Sequence, residues 1–100
     1  MRLIAVSTLR EFGVKHPDAK AAISAWTAKV KVGRWGMMSD IQAAFPKAKV
    51  LNAERARFEI AGGEYRLIVA FDFRRSIAFV KFVGTHADYD KIDALTVSQF

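Results

Sequence analysis

RARFEIAGGEYRLIVAFDFRRSIAFVKFV, residues 55–83, decides the fold. Apolar and polar residues alternate through it with a period of two, the signature of half-buried strands, and AGGE and FRRS interrupt the alternation twice. Three strands follow, over 55–60, 64–73 and 76–83. Gly62 and Gly63 suit a tight hairpin loop that needs positive φ. Even loops at Gly62-Gly63 and Arg74-Arg75 set the register. Ile60 then faces Tyr65, Phe58 faces Leu67, Phe71 faces Ala78 and Leu67 faces Phe82.

Opposed residues share a sheet face. One face therefore holds Ala56, Phe58, Ile60, Tyr65, Leu67, Val69, Phe71, Ala78, Val80 and Phe82, with no charge anywhere. That side is the one for helices to cover. The other holds Arg55, Arg57, Glu59, Arg66, Ile68, Ala70, Asp72, Ile77, Phe79, Lys81 and Val83. Arg66 and Lys81 thus share a face, opposite Phe58 and Phe82. Glu59 lies across from Arg66. A solvated face laced with Arg–Glu pairs accounts for these charges, but not for their gathering at one end.

Upstream, the chain reads as helices. Thr8 with Glu11 matches a capping box that opens a short helix, with Leu9 and Phe12 inward. Pro17 and Asp18 suit the first turn of a second helix, about 17–31. It puts Ala19, Ile23, Trp26 and Val30 on one face and Lys20, Ser24, Thr27 and Lys31 on the other. VGRWG breaks it; Ser39 is placed to cap a brief helix, DIQAAF, which Pro46 ends. MRLI adds an edge strand. The expected class is α+β, a single domain over residues 1–100 with N-terminal helices packed on one face of a small antiparallel sheet.

Composition narrows the setting. One hundred residues, 52% of them apolar, suit one compact core. There is no cysteine, so neither a disulfide framework nor a thiolate metal site is expected, and no membrane span or signal peptide is read from the short apolar start. A cytoplasmic protein is the expectation. Residues 1–50 carry nine Lys and Arg against three acids, while residues 51–100 carry seven against seven. The whole net charge of +6 therefore lies in the first half. Such an asymmetry fits a surface that faces a polyanion, with Lys20, Lys29, Lys31 and Arg34 as RNA-binding candidates beside Arg55 and Arg57 on the sheet. A soluble basic surface without a partner is the plainer alternative.

The polar end of the sheet runs into GTHADYDKI, 84–92. Thr85 and Asp88 form a capping box for a short C-terminal helix, with His86 at its first position and Tyr89 and Asp90 three and four residues on. RNA cleavage by its own 2′-hydroxyl needs a base, an acid and cations around a pentavalent phosphorus, without a metal or other cofactor. His86 is the side chain suited to proton transfer at neutral pH. Arg66 offers a planar fork for phosphate, Lys81 a charge stabiliser or base, and Tyr89 a stacking platform or hydroxyl donor. The two histidines, at 16 and 86, have no metal-ligand spacing, and no glycine-rich phosphate loop is present.

FEIAGGEYRLIVAFDF (58–73) followed by AFVKFVGTHADYDKIDALTV (78–97) resembles the HigB family of bacterial toxins, within the RelE-like superfamily. Trp35, DIQAAFP (40–46) and MRLI fit as well. The G-T-H-x-x-Y-D run is the most specific piece. Gly63 departs from relatives that carry Asn there, which touches turn chemistry only. The resemblance implies a RelE-like fold and a small basic endoribonuclease that cuts mRNA on the translating ribosome, contacting ribosomal RNA. It also implies a helix-turn-helix antitoxin as neutralising partner, and a cleavage site of Arg66, Lys81, His86 and Tyr89. The alternative is a non-catalytic nucleic-acid-binding or regulatory module, a degenerate toxin acting as antitoxin partner and co-repressor.

Overall fold

The computed structural model describes all of residues 1–100. Strand β1 (Arg2–Ile4) leads through Ala5 into helix α1 (Val6–Lys15). A 3-10 turn (Pro17–Ala19) runs into α2 (Lys20–Val32), and α3 (Met38–Ala44) follows. Then come β2 (Lys49–Val50), β3 (Arg55–Ile60), β4 (Tyr65–Asp72), β5 (Ile77–Thr85) and the one-turn helix α4 (His86–Tyr89). The five strands form one sheet in the order β1-β5-β4-β3-β2, with β1 parallel to β5 and the other neighbours antiparallel. The class is α+β, as read from the sequence. No helix is long and apolar enough to cross a membrane.

The helical face of the sheet is built from the alternation. Phe58, Leu67, Val69, Phe71 and Val80 are buried against Leu9, Ile23, Trp26, Val30 and Ile41. The Trp26 and Phe45 rings meet Phe58 edge-on at 5.3 and 5.0 Å between centroids. Each fully buried aliphatic or aromatic side chain of this kind contributes about 1.5–3 kcal/mol relative to exposure, so this layer dominates the stability of the fold. The Met1 ammonium donates to the carbonyls of Val30, Lys31 and Gly33 at the C-terminal end of α2, where the helix dipole favours a cation.

Three helix starts differ from expectation. The Thr8–Glu11 box does not open α1. That helix begins at Val6, because a single residue, Ala5 at φ 74°, makes the whole turn out of β1, and no side chain caps it. Ser39 does not cap α3 either; the helix already includes Met38, and Asp40 accepts the Gly36 N–H at 2.9 Å from within its first turn. The second helix is expected over about 17–31, but its Pro17 end is a 3-10 turn.

The β3–β4 hairpin has the expected register throughout, from Arg55 opposite Ala70 to Ile60 opposite Tyr65. Residues 61–63 all take positive φ at its tip. The β4–β5 hairpin keeps its expected register only as far as Val69 opposite Val80. Beyond that a β-bulge makes Lys81 an extra residue, so that Ile68 pairs with Phe82 and Leu67 with Val83. Two face assignments are thereby corrected: Val83 joins the core under the helices, and Phe82 turns to the opposite face with Arg66. Consecutive apolar residues allow the exchange, since either satisfies a buried position.

Phe82 and Ile68 are nevertheless buried. The C-terminal segment crosses their face. Arg55 Nη1 donates to the carbonyls of Ala94 and Val97, and at the far side Gln99 N–H donates to the Lys81 carbonyl. Val83 N–H donates to Gln99 Oε1. β1 pairs β5 only over Ile77–Phe79, so the tail covers backbone groups that would otherwise form an open sheet edge.

Candidate active site

The polar end of the second face is organised by one carboxylate. Glu59 Oε1 lies 3.2 Å from Arg66 Nη1 and 3.5 Å from Arg57 Nη2. Arg66 Nη1 also donates to the Gly63 carbonyl at 3.1 Å. Strand periodicity puts Arg57 and Glu59 two apart on β3, and the hairpin register puts Arg66 directly across from Glu59. Both guanidinium carbons stand over the Tyr89 ring, Arg57 at 5.7 Å and Arg66 at 6.0 Å from its centroid. Behind Tyr89 lies Phe82, at 6.3 Å; the bulge that turned Phe82 to this face thus supplies the apolar backing for the tyrosine.

The arginine side chains are only 11% (Arg66) and 19% (Arg57) exposed, and the Nε of each is buried without a partner. A buried N–H left unpaired costs about 1–3 kcal/mol. Two arginines share one carboxylate, so the cluster keeps an excess of positive charge on a semi-enclosed surface, where an anion is bound more strongly than in water.

His86 begins α4 in the expected manner. Asp88 N–H donates to Thr85 Oγ1 at 3.1 Å, and Thr85 N–H donates back to Asp88 Oδ2 at 3.3 Å. The helix N-terminus is further tied to the β3–β4 loop, as His86 N–H donates to the Glu64 carbonyl at 3.1 Å. Gly84 permits the approach. A Cβ there would come within 2.7 Å of the Phe82 ring and 3.2 Å of the Asp88 Cβ. The imidazole is 57% exposed, and its Nδ1 lies 3.3 Å from Asp90 Oδ2. That contact leaves Nε2 without a protein partner, one helical turn before Tyr89.

The remaining candidates are dispersed. Lys81 stays on the site's face but lies along the strand, with its ammonium 5.4 Å from the Phe79 ring centre. Arg55 is occupied by the C-terminal carbonyls. Lys29 donates to the Ala44 carbonyl and stands 4.4 Å over Phe45, joining α2 to α3. Lys20, Lys31 and Arg34 are exposed on the helical side. Sequence reasoning placed Glu59 on the face only as an ion-pair partner. Its position between Arg57 and Arg66 makes it the group that sets both guanidinium planes, and the cross-strand Glu59–Arg66 pairing was the signal available for it.

Residues 19–92 match the family model described as HigB toxin, RelE-like toxic component of a toxin–antitoxin system. The chain belongs to the HigB toxin family. Among curated proteins none matches it. Family membership makes the protein the toxic component of such a system and implies an antitoxin as its partner. The Arg57–Glu59–Arg66–Tyr89 cluster and α4 lie wholly inside the matched residues.

The other histidine serves packing instead. His16 lies between the rings of Phe12 and Tyr65, at 4.3 and 5.0 Å. Tyr65 Oη donates to the Asp18 carboxylate, at 2.7 and 2.8 Å from its two oxygens. That hydrogen bond, aided by burial, raises the Tyr65 pKa above its ordinary 10.0. The folded protein thus holds this proton more tightly than the unfolded chain. The resulting stability is present in full below pH ~10 and is lost as pH rises through the higher folded value. Tyr65→Phe removes this titration. Its melting temperature is expected to fall less steeply than that of the wild type above pH ~10. Parallel decline of the two would count against the assignment.

Proposed function

We propose that the protein is an endoribonuclease that cleaves mRNA on the translating ribosome, in the cytoplasm, through attack of the RNA 2′-hydroxyl, and that a helix-turn-helix antitoxin neutralises it. The reading rests on one observation above all. Two nearly enclosed arginines, set by Glu59, stand over Tyr89 one turn from a solvent-facing histidine whose Nδ1 is held by Asp90. Phosphate, base and proton carrier each have a place there.

In this reaction the 2′-oxygen bonds to the adjacent phosphorus as its proton passes to a base. The bond to the 5′-oxygen breaks as that oxygen receives a proton. A 2′,3′-cyclic phosphate and a free 5′-hydroxyl result. Arg66 and Arg57 bind the non-bridging oxygens, whose charge grows in the transition state, and rotation toward a phosphate gives their orphaned Nε groups an acceptor. Tyr89 stacks on the base beside the cut. His86 Nε2 moves the proton, and Lys81, up the strand, is assigned the flanking phosphate. Of the basic residues outside the cluster, the exposed Lys20, Lys31 and Arg34 are free to meet ribosomal RNA.

The test is an RNA with a single deoxynucleotide 5′ of the cut, presented on programmed ribosomes. The all-ribose message is expected to give 2′,3′-cyclic phosphate ends, and the substituted one to remain intact at that position. Cleavage of both at that position would sink the mechanism. Growth arrest with no cleavage at all would favour the non-catalytic module.

A further inference from the structure

Between α2, the end of α3 and the edge of β3 lies a pocket of about 300 Å³. Trp26, Phe45 and Phe58 line it with aromatic surface, and Lys29 and Lys47 with cations. Lys47 is exposed and enters none of the molecule's ion pairs. The indole N–H of Trp26 is buried without an acceptor. Glu59, which holds Arg57 and Arg66, is a lining residue too, so the pocket adjoins the cleavage cluster. The strand edge is open there, because β2 covers β3 only opposite Ala56 and Arg57. On that edge the Arg55 carbonyl accepts from Leu51 N–H, whereas the Glu54 carbonyl accepts from Phe71 N–H on the β4 side. Strand alternation therefore turns the N–H and C=O of Glu59 toward the uncovered edge.

Size, surface and position select the occupant. The volume is at the low end for small-ligand sites, about 300–1,000 Å³, too small for a helix about 10 Å across. Aromatic lining suits a flat ring, since every base has a face that stacks. The Glu59 N–H and C=O offer a donor and an acceptor to a base edge, the means by which splayed-out nucleotides are read. The Trp26 N–H lacks an acceptor of the kind such an edge carries. The only carboxylate of the lining is taken by two arginines, which leaves the rim positive and favours an anion. We infer that this pocket is a subsite for the base of an mRNA nucleotide flanking the scissile bond, with the ring stacked on Phe45 and the phosphate on Lys47. The inference rests on the endoribonuclease reading and adds to it a source of sequence preference. Lys49 lies directly across from Arg57 and shares its face. Arg57, Lys49 and Lys47 thus lead a phosphodiester chain from the cleavage cluster over the sheet edge to the pocket.

The test uses programmed ribosomes and paired messages that differ only in whether one nucleotide flanking the cut is intact or abasic, with the 5′ and 3′ neighbours taken in turn. At one of the two positions the wild type is expected to cleave the abasic message at least about fivefold less efficiently in kcat/KM, the loss of one stacked base. Ala44→Met, which fills the pocket, and Phe45→Leu, which removes the stacking ring, are expected to cleave both messages alike, near the wild-type efficiency on the abasic one. Thermal melts report folding. A folded variant with the full wild-type penalty would overturn the inference, since the penalty would then belong to the ribosome. So would a wild type indifferent to the abasic nucleotide at both positions. Folded variants that keep the penalty but escape rescue by the antitoxin would assign the pocket to the antitoxin and overturn it equally. Lys47→Glu, at an exposed position, serves should the other two unfold: it is expected to raise KM for the intact message at unchanged kcat, and an unchanged KM would sink the proposal. If the wild type cleaves no message at all, the endoribonuclease reading beneath the inference fails, a result distinct from the others.

Discussion

His86→Ala is expected to lower the single-turnover rate of ribosome-bound mRNA cleavage by about 10²–10⁴-fold, the range for losing a positioned acid or base. The fold should hardly notice. The imidazole is mostly exposed, it packs on no ring, and its one ionic contact is the surface pair with Asp90. Such pairs contribute about 0–1 kcal/mol. The Thr85–Asp88 capping box and the His86 N–H bond to the Glu64 carbonyl use backbone or other side chains, and survive the substitution. Ribosome association and melting temperature should stay near wild type while the rate collapses. A rate loss under about tenfold would mean that another group carries the proton. A lowered melting temperature with a matched loss of activity would mean that the segment is only a cap.

The second large effect belongs to Arg66. Arg66→Ala is expected to cost about 10²–10³-fold in cleavage rate, as for removal of one preorganised donor at a developing negative charge. Arg66→Lys should recover little of it. Lysine keeps the charge but lacks the fork, and cannot reach Glu59, the Gly63 carbonyl and a phosphate in one plane. The substitution also leaves Glu59 paired with Arg57 alone, so a change in stability of about 1–3 kcal/mol accompanies it. Rates at saturating ribosomes, compared with ribosome affinity, separate the two effects. A rate defect that vanishes at saturation, or a lysine variant as active as wild type, would remove Arg66 from the transition state.

These predictions rest on features of unequal legibility. Residues 55–72 could be read with pencil and paper. Gly62 and Gly63 supply the positive φ that the loop demands, and the spacing of Arg55, Arg57, Glu59, Arg66 and Asp72 leaves one register in which no charge enters the core. Arg57, Glu59 and Arg66 therefore had to meet on one face. The Thr85–Asp88 box was equally local, because a capping box is made by residues three apart whatever surrounds them. The inward faces of α1 and α2 followed from a 3.6-residue period, with Leu9, Ile23, Trp26 and Val30 buried as expected.

What lay beyond the sequence was decided by groups far apart along the chain. Phe82 and Val83 are both apolar, and parity cannot say which of two adjacent hydrophobic residues faces the helices once a bulge is allowed. The bulge becomes stable where the Lys81 carbonyl and Val83 N–H find Gln99 at the open edge of β5, a contact that the alternation of β5 does not encode. The same tail claims Arg55, and the end of α3 claims Lys29. A cation written in the sequence counts as free charge until the fold shows which carbonyl has taken it. By itself the sequence determined the strands, the charged face and the cap, since periodicity and turn chemistry act over a few residues. Only tertiary structure decided which cations remain available and what lies beneath Tyr89, since those depend on backbone groups left unpaired at edges and helix ends that the chain reaches from a distance.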